Sequence, residues 1–392
     1  MVRWLTAGES HGKGLTAIVE GLPAGLLIDL EEINFHLARR QMGSGRGGRM
    51  SIERDKADVL SGIRFGKTTG SPVTLWIGNR DHENHLSAMS VTGSRPEEEK
   101  AVRRPRPGHA DLAGMLKYGL HDARDVAERA SARETAARVA VGGLFRLFLR
   151  TLGIEVQAHV LEVGGIRASL PADVKIEMIR KTLGRDMVGC IDHTAWDSIE
   201  LLMAEAREQG DTLGGVFEVI AEGVPPGLGS YIQWDHRADS QLAAAFMGIP
   251  SVKGVEIGAG FSLARRRGLE ARDEFVFTGE DRSNDLSARA SNQAGGLEGG
   301  VTNGQPIIVR AAVKPIPTLS RETETVDLDT RERVITPNPR ADVCVLEAVS
   351  VVGEAAMLNV LAVLVLDTFG GDRMKAIVER INRHRERVKN RC

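Results

Sequence analysis

The sequence predicts an α+β fold with layered packing, in a single domain that spans residues 1–392. Short β-rich runs alternate with longer helical patterns, but they do not follow the strict strand–helix–strand order of a doubly wound parallel sheet. No proline- or serine-rich linker divides the chain, and no internal repeat period is evident. A chain of 392 residues can bury a large core in one unit.

Four apolar runs and one turn predict the β elements. Each run is short and rich in β-branched residues, which is typical of strands. The predicted strands cover residues 15–20, 71–77, 216–222 and 307–313, and a hairpin is expected around residues 327–330.

Longer patterns with a period near 3.6 residues predict the helices. They cover residues 30–41, 125–152, 196–208, 240–248, 350–369 and 372–388, with glycines 153, 248 and 370 at the expected C-terminal ends. The apolar stretch 348–366 contains Glu354 and Asn359. We therefore expect it to be a buried helix and not a membrane span.

The predicted helix that begins near Asp125 carries a candidate anion site. Asp125 and Glu128 have the spacing of a capping box, with Asp125 as the N-cap. Arg129 and Arg133 lie one turn apart, with Ser131 on the adjoining face. Because a helix N-terminus offers free N–H groups and a positive dipole end, this first turn could seat an anion. A solvated helix face of arginine and glutamate explains the same pattern about as well.

Two histidines and a run of arginines predict a site for an anionic small molecule. His11 lies in Gly-Glu-Ser-His-Gly and His109 in Arg-Pro-Gly-His, both glycine-punctuated loops. Between them, residues 39–49 contain four arginines in eleven positions. Histidine transfers protons near neutral pH, and arginine matches phosphate or carboxylate with a planar fork. Together they predict a site that binds a multiply anionic molecule and moves protons on it.

Overall charge and cysteine content exclude several other classes of protein. The net charge of −2 argues against a nucleic-acid partner, which usually requires a basic excess. Three widely spaced cysteines form no CxxC pair, which fits a reducing compartment. No apolar signal stretch opens the chain, so a cytoplasmic location without a membrane partner is expected.

Two further polar segments leave alternatives open. Residues 81–85 contain an HxxH pair in a polar loop without a further ligand cluster, so we expect no metal site there. Asp342 precedes the apolar helix and is either its N-cap or a base facing the pocket.

These segments together resemble the chorismate synthase family, over essentially the whole chain. Residues 8–23, 128–140 and 340–354 are similar to the three signature segments of that family, and Arg-Pro-Gly-His-Ala-Asp at 106–111 and Lys-Pro-Ile-Pro-Thr at 314–318 are similar to two more. The resemblance implies a layered β-α-β sandwich that assembles as a homotetramer.

The resemblance also implies a reaction. Members convert 5-enolpyruvylshikimate 3-phosphate to chorismate and phosphate by a 1,4-elimination that requires reduced FMN (FMNH2) without net redox change. His11 would act as general acid near the leaving phosphate, His109 would stabilise the reduced flavin, and Asp342 would help remove a proton. The substrate-binding residues implied are Arg40, Arg46, Arg49, Arg106, Arg133 and Arg340. The resemblance also implies that Arg40 and Arg46 contact NADP.

Flavin contacts carry over in the same way. The residues implied are Arg129, Ala130, Ser131, Pro250, Ser251, Gly299, Lys314, Pro315, Ile316, Pro317, Thr318 and Arg340. Pro250, Ala341 and Ser44 depart from the residues usual in the family, and none of the three replaces a proposed catalytic group. The chain carries no extra flavin-reducing domain, which favours a monofunctional enzyme supplied by a separate flavin reductase, with NADPH as an indirect reductant.

One rival class keeps the same scaffold. A non-catalytic flavin- or phosphosugar-binding protein would share the arginines and the glycine-rich loops. Such a protein has no need for three proton-handling groups, and His11, His109 and Asp342 are all present. The enzyme interpretation is therefore favoured.

Overall fold

The computed structural model describes residues 2–46, 53–184, 189–276, 288–336 and 342–389. Their strands are β1 (Arg3–Ala7), β2 (Gly14–Glu20), β3 (Ala57–Ser61), β4 (Ile63–Arg64), β5 (Lys67–Thr68), β6 (Val73–Gly78), β7 (Glu155–Val163), β8 (Ile166–Arg167), β9 (Gly215–Glu222), β10 (Val252–Ile257), β11 (Leu297–Glu298), β12 (Val301–Thr302), β13 (Ile307–Val313), β14 (Glu324–Val326) and β15 (Arg333–Ile335). Their helices are α1 (Leu30–Gln41), α2 (Asp111–Tyr118), α3 (Ala123–Ala130), α4 (Thr135–Thr151), α5 (Ile176–Leu183), α6 (His193–Glu208), α7 (Ala238–Met247), α8 (Gly268–Ala271), α9 (Leu346–Phe369) and α10 (Met374–Lys389).

Two antiparallel sheets enclose a layer of helices. The first sheet has the strand order β1-β2-β6-β3, and the second has the order β10-β13-β9-β7-β8. Helix α4 packs on β2 and β6 of the first sheet, whereas α9 packs on β7 and β9 of the second. The two helices also pack against each other. The fold is therefore α+β and has the layered β-α-β arrangement that the sequence predicts.

Helix α9 forms the centre of the core. It is long and apolar enough to cross a membrane by length and composition, but almost all of it is buried inside the fold. A helix that is apolar on every side is stable in water only when other elements cover it. Both sheets and five other helices, α1, α4, α6, α7 and α10, share one hydrophobic cluster with α9. The prediction of a buried helix in this stretch is confirmed.

Local sequence signals placed several elements correctly. The predicted helix 30–41 corresponds to α1. It begins after its N-cap, Asp29, whose side chain accepts hydrogen bonds from the N–H groups of Glu31 at 3.0 Å and Glu32 at 3.3 Å. Acidic residues occupy its first turn and Arg39 and Arg40 its last, in accord with the helix dipole. The predicted strands correspond to β2, β6, β9 and β13, and the predicted hairpin to the antiparallel pair β14 and β15.

The predicted helix 125–152 is wrong as a single element. Its N-cap is Asp122, whose side chain accepts from the N–H of Arg124 at 2.9 Å, so Asp125 lies inside α3. The backbone is extended at Ser131, with ψ 141°, and α4 begins only at Thr135. Arg129 therefore lies at the C-terminal end of α3, whereas Ser131 is the N-cap of a short 3-10 helix, Ala132–Glu134, that leads into α4.

Two other expectations also need correction. Asp342 is not an N-cap, because α9 begins at Leu346 and its N-cap is Val345. The strands β1, β3, β7 and β10 were not predicted. Strand β7 is buried on both faces, so it lacks the alternation that marks a half-exposed strand.

Candidate active site

His11 is held by the loop that joins β1 to β2. The two strands pair antiparallel from Arg3 with Glu20 to Ala7 with Thr16, and residues 8–13 connect them. Gly8 has a φ of +112°, and a Cβ there would lie 2.4 Å from the carbonyl oxygen of Gly14. Only glycine allows the chain to turn so closely at this point. The Gly-Glu-Ser-His-Gly segment is therefore a tight hairpin loop that presents His11.

Glu128 of α3 fixes the orientation of His11. Its carboxylate accepts from the backbone N–H of His11 at 2.7 Å and contacts the imidazole Nδ1 at 2.8 Å. The N–H of Ser10 donates to the carbonyl of Glu128 at 3.0 Å. Burial acts to raise the pKa of Glu128, but the hydrogen bonds from His11 outweigh burial and hold that pKa below its ordinary value. Glu128 therefore fixes both the backbone and the ring of His11.

A short 3-10 helix, Arg80–His85, lies against the other side of the His11 ring. His11 Nε2 is 3.8 Å from Asp81 Oδ2, and His85 Nε2 is 3.6 Å from the same oxygen. The imidazole rings of His11 and His85 are 4.2 Å apart between centroids. His82 points elsewhere, since its Nδ1 lies 2.8 Å from the carbonyl oxygen of His11. The two histidines of the HxxH pair thus contact different parts of His11. His82 reaches its backbone carbonyl, and His85 lies against its ring.

Arg40 and Arg133 share one buried carboxylate, that of Asp55. Arg40 Nη2 donates to Asp55 Oδ2 at 2.7 Å, and Arg133 Nη1 donates to Asp55 Oδ1. Burial acts to raise the pKa of Asp55, but the two guanidinium groups hold it below its ordinary value. Arg133 also donates through Nε to Asn79 Oδ1 at 2.9 Å, and Asn79 Nδ2 donates to the carbonyl of Gly12 at 2.8 Å. The arginine pair is therefore connected to the loop that carries His11.

Asp342 joins the same network through Arg46. Arg46 Nη1 donates to Asp342 Oδ2 at 2.8 Å, and Arg46 Nη2 donates to the carbonyl of Arg40 at 3.1 Å. The N–H of Val343 donates to the carbonyl of Gly45 at 2.8 Å, which fixes the two segments together. The structure thus brings four predicted site residues, Arg40, Arg46, Arg133 and Asp342, into one continuous set of contacts.

Arg106, His109 and Asp111 form a second charged cluster. Arg106 donates to Asp111 through Nε at 2.8 Å and Nη2 at 2.9 Å, and His109 Nδ1 lies 2.5 Å from Asp111 Oδ1. Burial acts to raise the pKa of Asp111, but His109 and Arg106 hold it well below its ordinary value. Lys314 Nζ donates to the carbonyl of Gly108 in this loop at 2.9 Å.

A cavity of about 1120 Å³ lies beside His11 and the Arg106 cluster. Among the predicted residues, His11, Arg106, Pro317 and Thr318 line it, whereas Arg40, Arg46, Arg133, His109 and Asp342 do not. Further basic side chains in its wall are Lys100, Arg103, Arg104, His121 and Arg124. Arg103 pairs with Asp329 at 2.8 Å and Arg104 with Asp327 at 3.1 Å, whereas Arg124 forms no ion pair within the described part of the chain. The cavity is therefore suited to an anionic ligand.

The structure brings together some of the residues that are predicted to bind the flavin. The N–H of Lys314 donates to the carbonyl of Ser251 at 2.9 Å, so the loop at 314–318 adjoins the one at 250–251. Ser251 has a φ of +70°, a conformation that a non-glycine residue rarely adopts. Arg138 links Glu134, at 3.0 Å, to the carbonyl of Gly248, at 2.9 Å, which places the turn after Ser131 near this loop.

Other predicted residues lie apart or outside the described chain. Arg129 donates to the carbonyls of Gly8 at 3.2 Å and Thr6 at 3.1 Å, so in this structure it braces the hairpin. Gly299 lies in the turn between β11 and β12 and does not line the cavity. Arg49, Arg340 and Ala341 fall outside the described residues.

Sequence reasoning missed the acidic partners in this site. Asp55 and Asn79 belong to none of the quoted motifs, Asp81 and Asp111 appear only within the segments 81–85 and 106–111, and Glu128 is predicted as a capping residue. Each is buried or nearly so, and an aspartate or glutamate is rarely buried unless it is paired. Arg124 was also missed, because it lies outside the quoted motifs. Asp111 binds Arg106 and His109 within its own segment, so their spacing could have identified it. The other four bind groups that lie far along the chain and leave no local signal.

The fold and this site define a class of protein. A cavity with basic walls, a histidine anchored on a carboxylate and a second histidine–aspartate pair belong to an enzyme that transfers protons on a small polyanion.

The comparisons with known proteins identify the family. A sequence model described as Chorismate synthase matches residues 2–366. The chorismate synthase of Desulforudis audaxviator is 50% identical over 389 residues, which cover 99% of this chain and 98% of that protein. That of Geobacter sulfurreducens is 51% identical over 377 residues, with 95% and 96% covered. A crystal structure of chorismate synthase superimposes with a TM-score of 0.78 at 40% identity, with 99% and 98% covered. The chain belongs to the chorismate synthase family, whose members are carbon–oxygen lyases of aromatic amino-acid biosynthesis.

Proposed function

We propose that this chain converts 5-enolpyruvylshikimate 3-phosphate to chorismate and phosphate by 1,4-elimination, within one catalytic domain that spans residues 1–392. The observation that carries the proposal is the position of His11. It lines a basic cavity, its Nδ1 is anchored on Glu128, and the opposite nitrogen, Nε2, lies 3.8 Å from Asp81 Oδ2. Membership of the family supplies the reaction class.

His11 is the proposed general acid. Departure of phosphate requires neutralisation of the charge that develops on its bridging oxygen, and a protonated imidazole supplies this. Asp342, which accepts a hydrogen bond from Arg46, is the proposed carboxylate that helps to remove a proton. His109, which contacts Asp111, is proposed to lie beside the flavin ring.

Arginines position the phosphate and the two carboxylates of the substrate. We assign this role to Arg40, Arg46, Arg49, Arg106, Arg133 and Arg340, and add Arg124 because it lines the cavity with its charge unpaired by any described carboxylate. Arg40 and Arg133 are already paired with Asp55 and do not line the cavity, so we assign them an action at a distance through their positive charge. A bidentate arginine contact to an anion gives both affinity and orientation.

The cavity fits a flavin together with the substrate. Single small-molecule pockets are usually about 300–1,000 Å³, and this cavity of about 1120 Å³ exceeds that range. Pro317 and Thr318 line it, and Lys314 and Ser251 lie in the loops beside it. We assign flavin binding to these residues with Arg129, Ala130, Ser131, Pro250, Gly299, Pro315, Ile316 and Arg340. Reduced FMN, when bound, would supply transient electron density for the elimination, while the protein supplies position and charge.

Further parts of the proposal rest on family membership alone. They are a homotetrameric assembly, a cytoplasmic location and a separate flavin reductase, with NADPH as an indirect reductant near Arg40 and Arg46. Size-exclusion chromatography with light scattering tests the assembly. An assay with NADPH in place of a chemical reductant tests the source of electrons.

The decisive experiment is an anaerobic assay of the purified chain with the substrate and FMN, reduced or oxidised. We expect chorismate only with reduced FMN. His11→Ala should lower the rate about 10²–10⁴-fold, the range for loss of a general acid, while FMN binding persists. His236→Ala, at an exposed histidine that does not line the cavity, is the matched control and should retain activity. A folded protein that binds FMN but forms no product would overturn the proposal in favour of the non-catalytic binding protein.

A further inference from the structure

One group of potential metal ligands lies in the cavity wall. His11 Nε2, Asp81 Oδ2 and His85 Nε2 are within 4.8 Å of one another. His11 and His85 line the cavity, while Asp81 is buried behind them. The three residues come from the β1–β2 loop and the 3-10 helix 80–85, so the hairpin brings together groups that the sequence separates.

We propose that these three side chains form an inhibitory binding site for a divalent transition-metal ion of the Zn²⁺ type. Two imidazoles and one carboxylate are a donor set that Zn²⁺ and its neighbours prefer over Mg²⁺ or Ca²⁺. Three protein ligands with an open position are typical of accessible Zn²⁺ sites. The open position here faces the cavity, because His11 and His85 both line it.

The spacing of the donor atoms suits a metal ion after a small adjustment. Bonds of about 2.0–2.1 Å place neighbouring donors of a tetrahedral site roughly 3.3 Å apart. The two nitrogen-to-oxygen distances are 3.8 and 3.6 Å. Side-chain rotations that shorten them by about half an ångström complete the geometry, and His85 is only partly buried, which leaves it room to move.

The surrounding contacts orient the ligands as in known metal sites. Glu128 binds Nδ1 of His11 at 2.8 Å, which leaves Nε2 of the neutral ring as the lone pair that faces Asp81. A carboxylate behind a ligating histidine is a frequent feature of metal sites. Glu53 accepts from the backbone N–H of Asp81 at 3.2 Å and fixes the start of the 3-10 helix.

A metal ion at this site would block the proposed reaction. It would occupy Nε2 of His11, the atom assigned to proton donation, and would add a positive charge to the cavity wall. Metal binding itself does not depend on the proposed function. Only the inhibition does, so the two can be tested separately.

The binding test uses the untagged, chelator-treated full chain. Calorimetric titration with Zn²⁺ should give one site per chain, and Co²⁺ should give visible absorption bands of a tetrahedral complex. His85→Gln and Asp81→Asn should each weaken Zn²⁺ binding at least about tenfold, a loss seen even for outer partners of metal ligands. His121→Gln, in the same cavity wall but outside the ligand set, is the matched control and should bind as the unaltered chain does. Absence of stoichiometric binding, or equal affinity in the His85→Gln variant, would overturn the proposal.

The inhibition test follows chorismate formation with added Zn²⁺. We expect inhibition that a chelator reverses, and an inhibitory concentration at least about tenfold higher in His85→Gln than in the unaltered chain. Inhibition that is equally strong in His85→Gln would place the inhibitory ion elsewhere and overturn this part. If the unaltered chain forms no chorismate at all, the proposed function fails while calorimetry still decides the metal site.

Discussion

Two neighbouring arginines of α1 meet the same kind of partner in two different regions. Arg39 lies in the helical core, where Glu354 accepts from its Nη1 at 2.7 Å and its Nη2 at 2.9 Å. Arg146 donates to the same carboxylate at 2.6 Å. Arg40 lies toward the active site, where it shares Asp55 with Arg133. Each region therefore holds one buried carboxylate between two guanidinium groups.

The difference lies in what surrounds each cluster. Glu354 also accepts from Gln157 and from the N–H of Ala158, and its cluster is enclosed by the helical layer and β7. The Asp55 cluster instead continues through Asn79 to the His11 loop, and Arg40 Nε has no hydrogen-bond partner within the described chain. A closed set of partners stabilises the fold, whereas an open one lets charge act on a ligand.

The largest expected effect is on the closed cluster. Glu354→Gln keeps the shape but leaves Arg39 and Arg146 buried without a counterion. Removal of one partner from a buried ion pair costs about 3–5 kcal/mol. Urea unfolding of the variant and the unaltered chain measures this change in the free energy of unfolding. A loss below about 1 kcal/mol would contradict the view that this carboxylate holds the core charges.

A smaller effect is expected at the open cluster. Asp55→Asn should cost about 2 kcal/mol of unfolding free energy, as for a hydrogen bond to a charged group, since Glu53 remains 3.7 Å from Arg133. The uncompensated arginines should then attract an anion. Inorganic phosphate at several times its Kd should restore about 1 kcal/mol in Asp55→Asn by mass action and nothing in Glu354→Gln. Equal rescue of both variants would remove the distinction between the two regions.

A third carboxylate extends the comparison to pH. The pKa of Asp111 is depressed in the folded state, so its contribution is present above the ordinary value of 3.8 and is lost as the pH falls below it. Near neutral pH, Asp111→Asn should cost about 1–2 kcal/mol. Unfolding measured from pH 6 to pH 3 should show the gap between variant and unaltered chain closing below roughly pH 4. A gap that stays constant with pH would show that Asp111 acts by shape and not by charge.

The smallest effect is expected at an exposed pair. Arg3 and Glu20 pair across β1 and β2 at 2.6 Å, but their side chains are 77% and 50% exposed. Such pairs contribute about 0–1 kcal/mol, so Glu20→Gln should leave urea unfolding nearly unchanged. This variant removes the same charge as Glu354→Gln and is its matched control. A cost comparable to that of Glu354→Gln would mean that burial does not govern these effects.

The sequence predicted what is encoded locally. Helix α1 was placed correctly because its cap and its apolar period lie within one segment. The break at Ser131 was missed because residues 125–152 keep a helical period through it, and Asp122 and Asp125 are equally good caps by composition. His11 could be proposed from its motif, but Glu128, Asp81 and His85 meet it only after β1 and β2 pair. Partners that tertiary packing brings together leave no local pattern.

Helix α9 has a consequence for how the protein is made. Synthesis proceeds from the N-terminus, and both sheets are complete in sequence before residue 346 is added. The centre of the molecule is nevertheless supplied by residues 346–369, which are translated after both sheets. Until that segment leaves the ribosome, the inner faces of both sheets lack the helix that covers them, and the segment itself emerges as a long apolar stretch. Newborn chains of this fold thus depend on protection from aggregation until that segment has been added.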